Sequence, residues 1–225
     1  MKTLNAAFLL LADARMPTGG HAFSGGLEHA CQKSVRDLAS LRRFLEGRLE
    51  TTGLLDAALA AAAARLEEAA DFAALQDEAE ARCPSPVLRE LAAAQGGRLL
   101  RLARATTPTP AITHLAAATD GRPAYPLALG AMVAAAGLGP DQAALLAASA
   151  AVTGPAFAAL RLLGLDPFGL AGMLGELAPA VDETAARALA GAPPGALAAL
   201  PAPSAPLLEF AAEEHAHWEV RLFAS

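Results

Sequence analysis

Apolar residues recur at spacings of three and four along most of this chain, the pattern of helices that bury one face. A first stretch, residues 4 to about 14, reads as a short helix stopped ahead of Pro17, and a second runs from near Ser24 to about Val35. Asp37 suits the N-cap of a long helix through Leu41, Phe44, Leu45, Leu49, Leu55, Leu59 and Leu66, with a bend at Gly53. Ser85-Pro86 has the form of an N-cap followed by a proline in the first turn, opening a helix through Leu88, Leu91, Leu99, Leu100 and Leu102. Gly96-Gly97 inside that helix costs about 1 kcal/mol per residue relative to alanine, which predicts close packing or a kink. Residues 106–126, with prolines at 108, 110, 123 and 126, read mostly as connection. Helices near 127–136 and 140–163 follow, separated by Gly137-Leu138-Gly139 and expected as antiparallel neighbours. Residues 191–206 are rich in Ala, Pro and Gly, a flexible or partly extended linker ahead of a last helix.

On a helical wheel that last segment, residues 207–222, gathers Leu207, Leu208, Ala211, His215, Trp218 and Leu222 in a sector about 100° wide. Such a stripe is a docking face. Glu209, Glu213 and His217 fall roughly opposite, His217 on the solvated side.

Composition narrows the class. Hydrophobic residues make up 54% of the chain but aromatics only 4%, and the excess is Ala and Leu, so an all-α fold is expected. A net charge of −6 leaves no broad positive field for a nucleic-acid backbone. Arg36, Arg42, Arg43 and Arg48 cluster but are interleaved with Glu46 and Glu50, which reads as a solvated helix face. Two cysteines, Cys31 and Cys83, do not make a disulfide framework, and a reducing cytoplasm is the expected location. The apolar stretch 6–12 is only of the minimum length for a secretory signal and Asp13 sits inside the supposed cleavage site, which disfavours that reading. Residues 143–160 carry no charge, yet their small side chains and Pro155 favour a helix buried in a bundle over a membrane span.

The loop Pro17-Thr18-Gly19-Gly20-His21-Ala22-Phe23-Ser24-Gly25-Gly26-Leu27-Glu28 resembles a phosphate cradle without its lysine, and Glu28 would repel phosphate. No nucleotide hydrolysis is expected of this chain. His21 beside Ser24 and Glu28 is the remaining candidate for nucleophilic chemistry, though no oxyanion site accompanies it; a loop shaped by its glycines needs no chemistry. His215-Ala216-His217 invites a metal, but residues two apart on a helix point about 200° from each other and could share an ion only if the segment were extended or unwound. His29 and Cys31 fail the same test, so His215 reads as a packed or hydrogen-bonded interface residue. A small helical nickel carrier or metalloenzyme using His21, His29 or His215 stays open as the alternative, as does a generic helical adaptor.

Taken in order, these motifs resemble the urease accessory protein family UreF. Leu9-Leu10-Leu11-Ala12-Asp13, Met16-Pro17-Thr18-Gly19-Gly20 and Ser24-x-Gly26-Leu27-Glu28 look like its N-terminal signature. Leu88-Arg89-Glu90 with Gly96 and Leu99-Leu100, and the stretch from Pro126 to Gly137, are similar to its central segments. His215 with Arg221-Leu222-Phe223-Ala224-Ser225 looks like its ending. The chain departs from the family pattern at His21, at Ala216 and at residues 163–167.

The resemblance implies a non-enzymatic, all-helical, dimer-forming maturation factor. It would join a UreD/UreH-type scaffold and the GTPase UreG, helping to insert nickel into apo-urease, with nickel and GTP handled by the complex and no cofactor on this chain. Residues 1–190 would form the helical domain, 191–206 a linker, and 207–225 a mobile partner-docking helix. Leu207, Leu208, Trp218, Leu222 and Phe223 would meet the scaffold, with Trp218 the main anchor and His215 and Arg221 in the same motif. Pro17, Gly19, Gly20, Ser24, Gly26, Leu27 and Glu28 would shape a second surface, partly for the GTPase. Neither nucleic acid nor membrane is an expected partner.

Overall fold

A computed structural model describes residues 6–13, 16 and 20–224. Among the described residues every regular element is helical, apart from one isolated parallel β-bridge. Short helices α1 (Ala6–Ala12) and α2 (Leu27–Lys33) lead into α3 (Leu38–Arg48). Asp37 opens α3 as expected: its carboxylate accepts from the Ser40 amide at 2.8 Å, and the Ser40 hydroxyl accepts from the Asp37 amide at 3.1 Å. The helix continues through a π-turn, Leu49–Gly53, into α4 (Leu54–Ala63). The bend expected at Gly53 is this turn.

α4 is the axis of the core. Ala57, Ala58, Ala60, Ala61 and Ala63 are all fully buried on it, and such small side chains let neighbouring backbones approach. Around α4 pack α8 (Tyr125–Ala135), α9 (Pro140–Leu163) and α10 (Pro167–Ala190). Gly130 of α8 sits so close to the Ala60 carbonyl that an added Cβ would lie 2.2 Å from its oxygen. Among the described residues α9 is the one helix long and apolar enough to cross a membrane, and 61% of its apolar window is buried within the bundle. α5 (Ala69–Ala81), α6 (Pro86–Thr106) and α7 (Pro110–Ala118) complete the outer layer. Ser85 caps α6 through the Leu88 amide, and Gly96 packs against the Pro123 carbonyl, the close approach that the glycine pair predicts.

Three expectations change. Residues 106–126 are not mostly connection: Thr109 caps α7, Pro110 stands in its first turn, and Ile112 and Leu115 are buried. Pro126 likewise lies in the first turn of α8, so two of the four prolines start helices instead of breaking them. Arg48 is not on a solvated face; its guanidinium is half-buried between α9 and the glycine-rich loop. The last helix, α11 (Pro206–Ala216), ends at His217 and does not reach Leu222. Residues 218–224 leave the helix because the amides of Leu222 and Phe223 are claimed by Glu28 instead of by carbonyls one turn back.

Residues 191–206 include a 3₁₀ turn, Leu197–Ala199, and are anchored on the bundle. Ala192 and Leu200 are buried, Arg65 donates to the Ala192 carbonyl at 2.9 Å, and Arg82 reaches the Leu200 carbonyl at 3.4 Å. α11 packs across α2 and α6 at one side of the molecule.

Candidate functional site

The two ends of the chain meet at one carboxylate. Glu28 stands in the first turn of α2 and is only 7% exposed. Its Oε1 accepts from the Leu222 amide at 2.8 Å, and its Oε2 accepts from the Phe223 amide at 3.0 Å and from His215 Nε2 at 3.0 Å. A carboxylate only accepts, so the His215 proton on this side is on Nε2. His215 is fully buried, and its Nδ1 has no partner among the described residues. The Ser24 hydroxyl accepts from the Glu28 amide at 3.2 Å, which caps α2 and aims the glutamate. One bridge further on, the Ala224 amide donates to the Ala22 carbonyl at 2.7 Å, pairing Phe23 with Ala224. Cations hold both aromatic rings of this junction: Arg98 lies 5.5 Å from the Phe23 ring centre and Arg161 lies 4.9 Å from that of Phe223.

Gly25 and Gly26 are required by this geometry. Both have positive φ, +61° and +86°, a region that side chains disfavour. The space a side chain would need is also taken: a Cβ on Gly25 would lie 3.1 Å from Arg48 Cζ and from Pro155 Cγ, and one on Gly26 would lie 3.1 Å from Leu208 Cδ2.

Two neighbouring carboxylates of α11 fasten the helix. Glu213 Oε1 accepts from the Ser85 hydroxyl at 2.5 Å and from the Val87 amide at 3.2 Å, at the positive start of α6. The Ser85 hydroxyl first, then that amide, hold the Glu213 carboxyl below its usual range. Glu214 accepts from His29 Nε2 at 3.0 Å and pairs with Lys33 at 3.5 Å, and the His29 bond, then Lys33, lower its pKa in the same way. Trp218 packs its indole on both imidazoles, 5.6 Å from His29 and 4.6 Å from His215 between ring centres. A shallow groove of about 390 Å³ runs beside the tail, walled by Val87, Leu91, Phe223 and Arg221.

The structure thus brings together most of the residues the sequence singles out. Ser24, Gly26, Glu28, Leu208, His215, Trp218, Leu222 and Phe223 form one junction. Leu27 is fully buried in the core beneath it, and Gly20 opens the 3₁₀ turn Gly20–Ala22 that also holds His21. Arg221 and Leu207 are exposed. Pro17, Thr18, Gly19 and Ser225 lie outside the described residues. The Ser24 oxygen caps α2 and both Glu28 oxygens face the tail, while the His21 side chain lies outside what the structure describes. Among the described residues no three of His, Cys, Asp and Glu converge where an ion could sit. Burial pushes the thiols of Cys31 and Cys83 up to about 11, so both stay protonated near neutral pH.

Phe210 and Arg48 were missed. Phe210 is 73% exposed one turn from Leu207, but it falls outside the apolar sector of the wheel, and an outward-facing apolar residue has no periodic signal. Arg48 could have been found only by noticing that Pro155 strips a carbonyl of its donor.

A family model described as UreF matches residues 35–178. Over 223 residues the chain is 43% identical to the urease accessory protein UreF of Mycolicibacterium vanbaalenii, with 98% of each chain covered. It is 42% identical over 226 residues to the protein of that name from Mycobacterium marinum, with both chains covered in full. The Mycobacterium tuberculosis relative is 39% identical over 221 residues, 98% of each chain. All three are named as accessory proteins, not as enzymes, and with identity of this order from end to end the chain belongs to the UreF family of urease accessory proteins.

Proposed function

We propose that this chain serves urease maturation as an adaptor between a UreD/UreH-type scaffold and a UreG-type GTPase, while GTP-dependent steps insert nickel into apo-urease. It works in the cytoplasm as a homodimer, and nickel and nucleotide are handled by its partners. One observation carries the reading: the N-terminal and C-terminal signature segments, nearly two hundred residues apart, are fastened by Glu28 into one continuous surface. Around it α11 exposes Leu207 and Phe210 one turn apart, 84% and 73% accessible, and the tail exposes Val220 and Leu222. Exposed large apolar side chains of this kind mark protein contact. Regulating a GTPase from such a surface needs only different affinities for its nucleotide states.

The test is co-purification with the scaffold and the GTPase from cells expressing the whole maturation set. Replacing both Leu207 and Phe210 by Asp should abolish scaffold recruitment and urease activation while leaving the helical circular dichroism unchanged. An aromatic anchor is worth about 2 kcal/mol or more, roughly thirtyfold in affinity. Wild-type recruitment and activation by the double variant would overturn the proposal. Trp218→Ala is a less clean probe, because that indole already packs on His29 and His215 within the chain.

A further inference from the structure

Proline has no N–H, so Pro155 in the interior of α9 leaves the Ala151 carbonyl, four residues earlier, without its helical donor. Arg48 fills that vacancy: its Nε donates to the Ala151 oxygen at 3.0 Å. Its Nη1 donates to the Gly25 carbonyl at 2.7 Å. One planar guanidinium therefore ties the middle of a core helix to the glycine turn near the end of the N-terminal signature. The π-turn after Arg48 helps set the reach, because Gly53 at its end lies against Ala151, where an added Cβ would be 3.1 Å from the Ala151 Cβ. Gly25 is shaped by the same pair, with Arg48 and Pro155 occupying the space of its missing side chain.

Keeping a guanidinium half-buried is costly, and burial depresses the basicity of Arg48 even with Asp56 nearby as counter-charge. An apolar residue would avoid that cost but would leave the Ala151 and Gly25 carbonyls without their donor. What arginine supplies is one planar group that reaches both carbonyls at once.

We infer that Arg48 is a positioning residue, with Pro155 supplying its acceptor: together they set the height and orientation of the Gly25–Gly26 turn, and through it Glu28 and the partner-facing surface. This rests on the reading that the joined loop and tail face the partners.

The experiment uses the full chain carrying Arg48→Met, Arg48→Lys or Pro155→Ala, with hydrogen exchange and co-purification of the scaffold and GTPase measured side by side. Pro155→Ala returns an N–H to the Ala151 carbonyl and so competes Arg48 away, and it also removes the ring that lies beside Gly25. Arg48→Met should keep its helical content and melt modestly below wild type, because the Ala151 and Gly25 carbonyls lose their donor. Its Phe23, Leu27 and Ala224 amides should nonetheless exchange about tenfold faster, a local opening distinct from global unfolding. Pro155→Ala should move the same amides by a smaller factor, and Arg48→Lys should fall between, because an ammonium cannot reproduce the two-pronged bridge. Wild-type exchange at those amides in both Arg48→Met and Pro155→Ala would overturn the positioning role. A loosened loop with wild-type partner recruitment would leave Arg48 as the positioner and sink the partner-facing reading instead.

Discussion

Replacing Glu28 by Ala removes three acceptor positions at once and asks how strongly the two ends of the chain are joined. Hydrogen bonds to a charged group are worth about 1.5–3 kcal/mol each, so the gross loss for Leu222, Phe223 and His215 is roughly 5–9 kcal/mol. The net loss is smaller. Residues 218–224 can swing into water and rehydrate their amides, which limits their share to the free energy of docking the tail. His215 cannot do so, since it is fully buried and regains water only if α11 lifts off α2. One stranded buried polar group costs about 1–3 kcal/mol, and adding the tail gives a destabilisation of about 3 kcal/mol. For a chain of this size that lowers Tm by roughly 6–12 °C. The assay combines thermal unfolding by circular dichroism with the emission of Trp218, the only tryptophan, which should shift to the red as it leaves His29 and His215. Exchange at the Leu222 and Phe223 amides should lose its protection. A variant melting within about 2 °C of wild type, with those amides still protected, would refute the reasoning.

Asp56 supplies a pH prediction. Burial raises its pKa from 3.8 to about 6 and the nearby Arg48 only partly offsets this, so the folded state binds that proton more tightly than the unfolded chain does. Its stabilising contribution is therefore present below pH 4 and lost as pH rises through 6, worth about 2–3 kcal/mol. Asp37, Glu213 and Glu214, with lowered values, act in the opposite sense and lose their contribution as pH falls. Subtracting the curves isolates Asp56: Asp56→Asn should be the more stable protein at pH 7 and converge with wild type near pH 4, and a pH-independent difference would count against it. In the core, Gly130→Ala should destabilise by about 2 kcal/mol or more, because the new Cβ meets the Ala60 carbonyl. Gly172→Ala on α10, where nothing lies within 4 Å, should instead gain about 0.5–1 kcal/mol from helix propensity; equal urea midpoints for the two variants would contradict that packing.

The bundle was legible wherever burial follows a periodic pattern. Asp37, Ser85 and the run from Pro140 marked their helices because caps and first-turn prolines act through local backbone chemistry. Proline was misread at 110 and 126 because the same residue breaks a helix from inside and opens one at its start, and only the surrounding packing tells the two apart. The end of α11 was misplaced for a different reason. A wheel assumes that the amides of Leu222 and Phe223 bond within their own segment, whereas a carboxylate almost two hundred residues away takes them. No local pattern contains that information.

The same long-range bond explains why specific residue types stand at both ends of a chain whose core is built largely from Ala and Leu. A core position asks only for a volume, and several residues supply it. Glu28 must be an anion with two oxygens, Ser24 must offer a short acceptor one turn earlier, Gly26 must take φ of +86° under Leu208, and His215 must present an N–H from a fully buried ring. Each requirement is chemical, and each is met by one residue type or very few. A surface assembled from such parts is held in a single shape. It also has a defined weak point, since among the described residues the hydrogen bonds from the tail to the N-terminal segment run to the Glu28 carboxylate or through the bridge at Ala224.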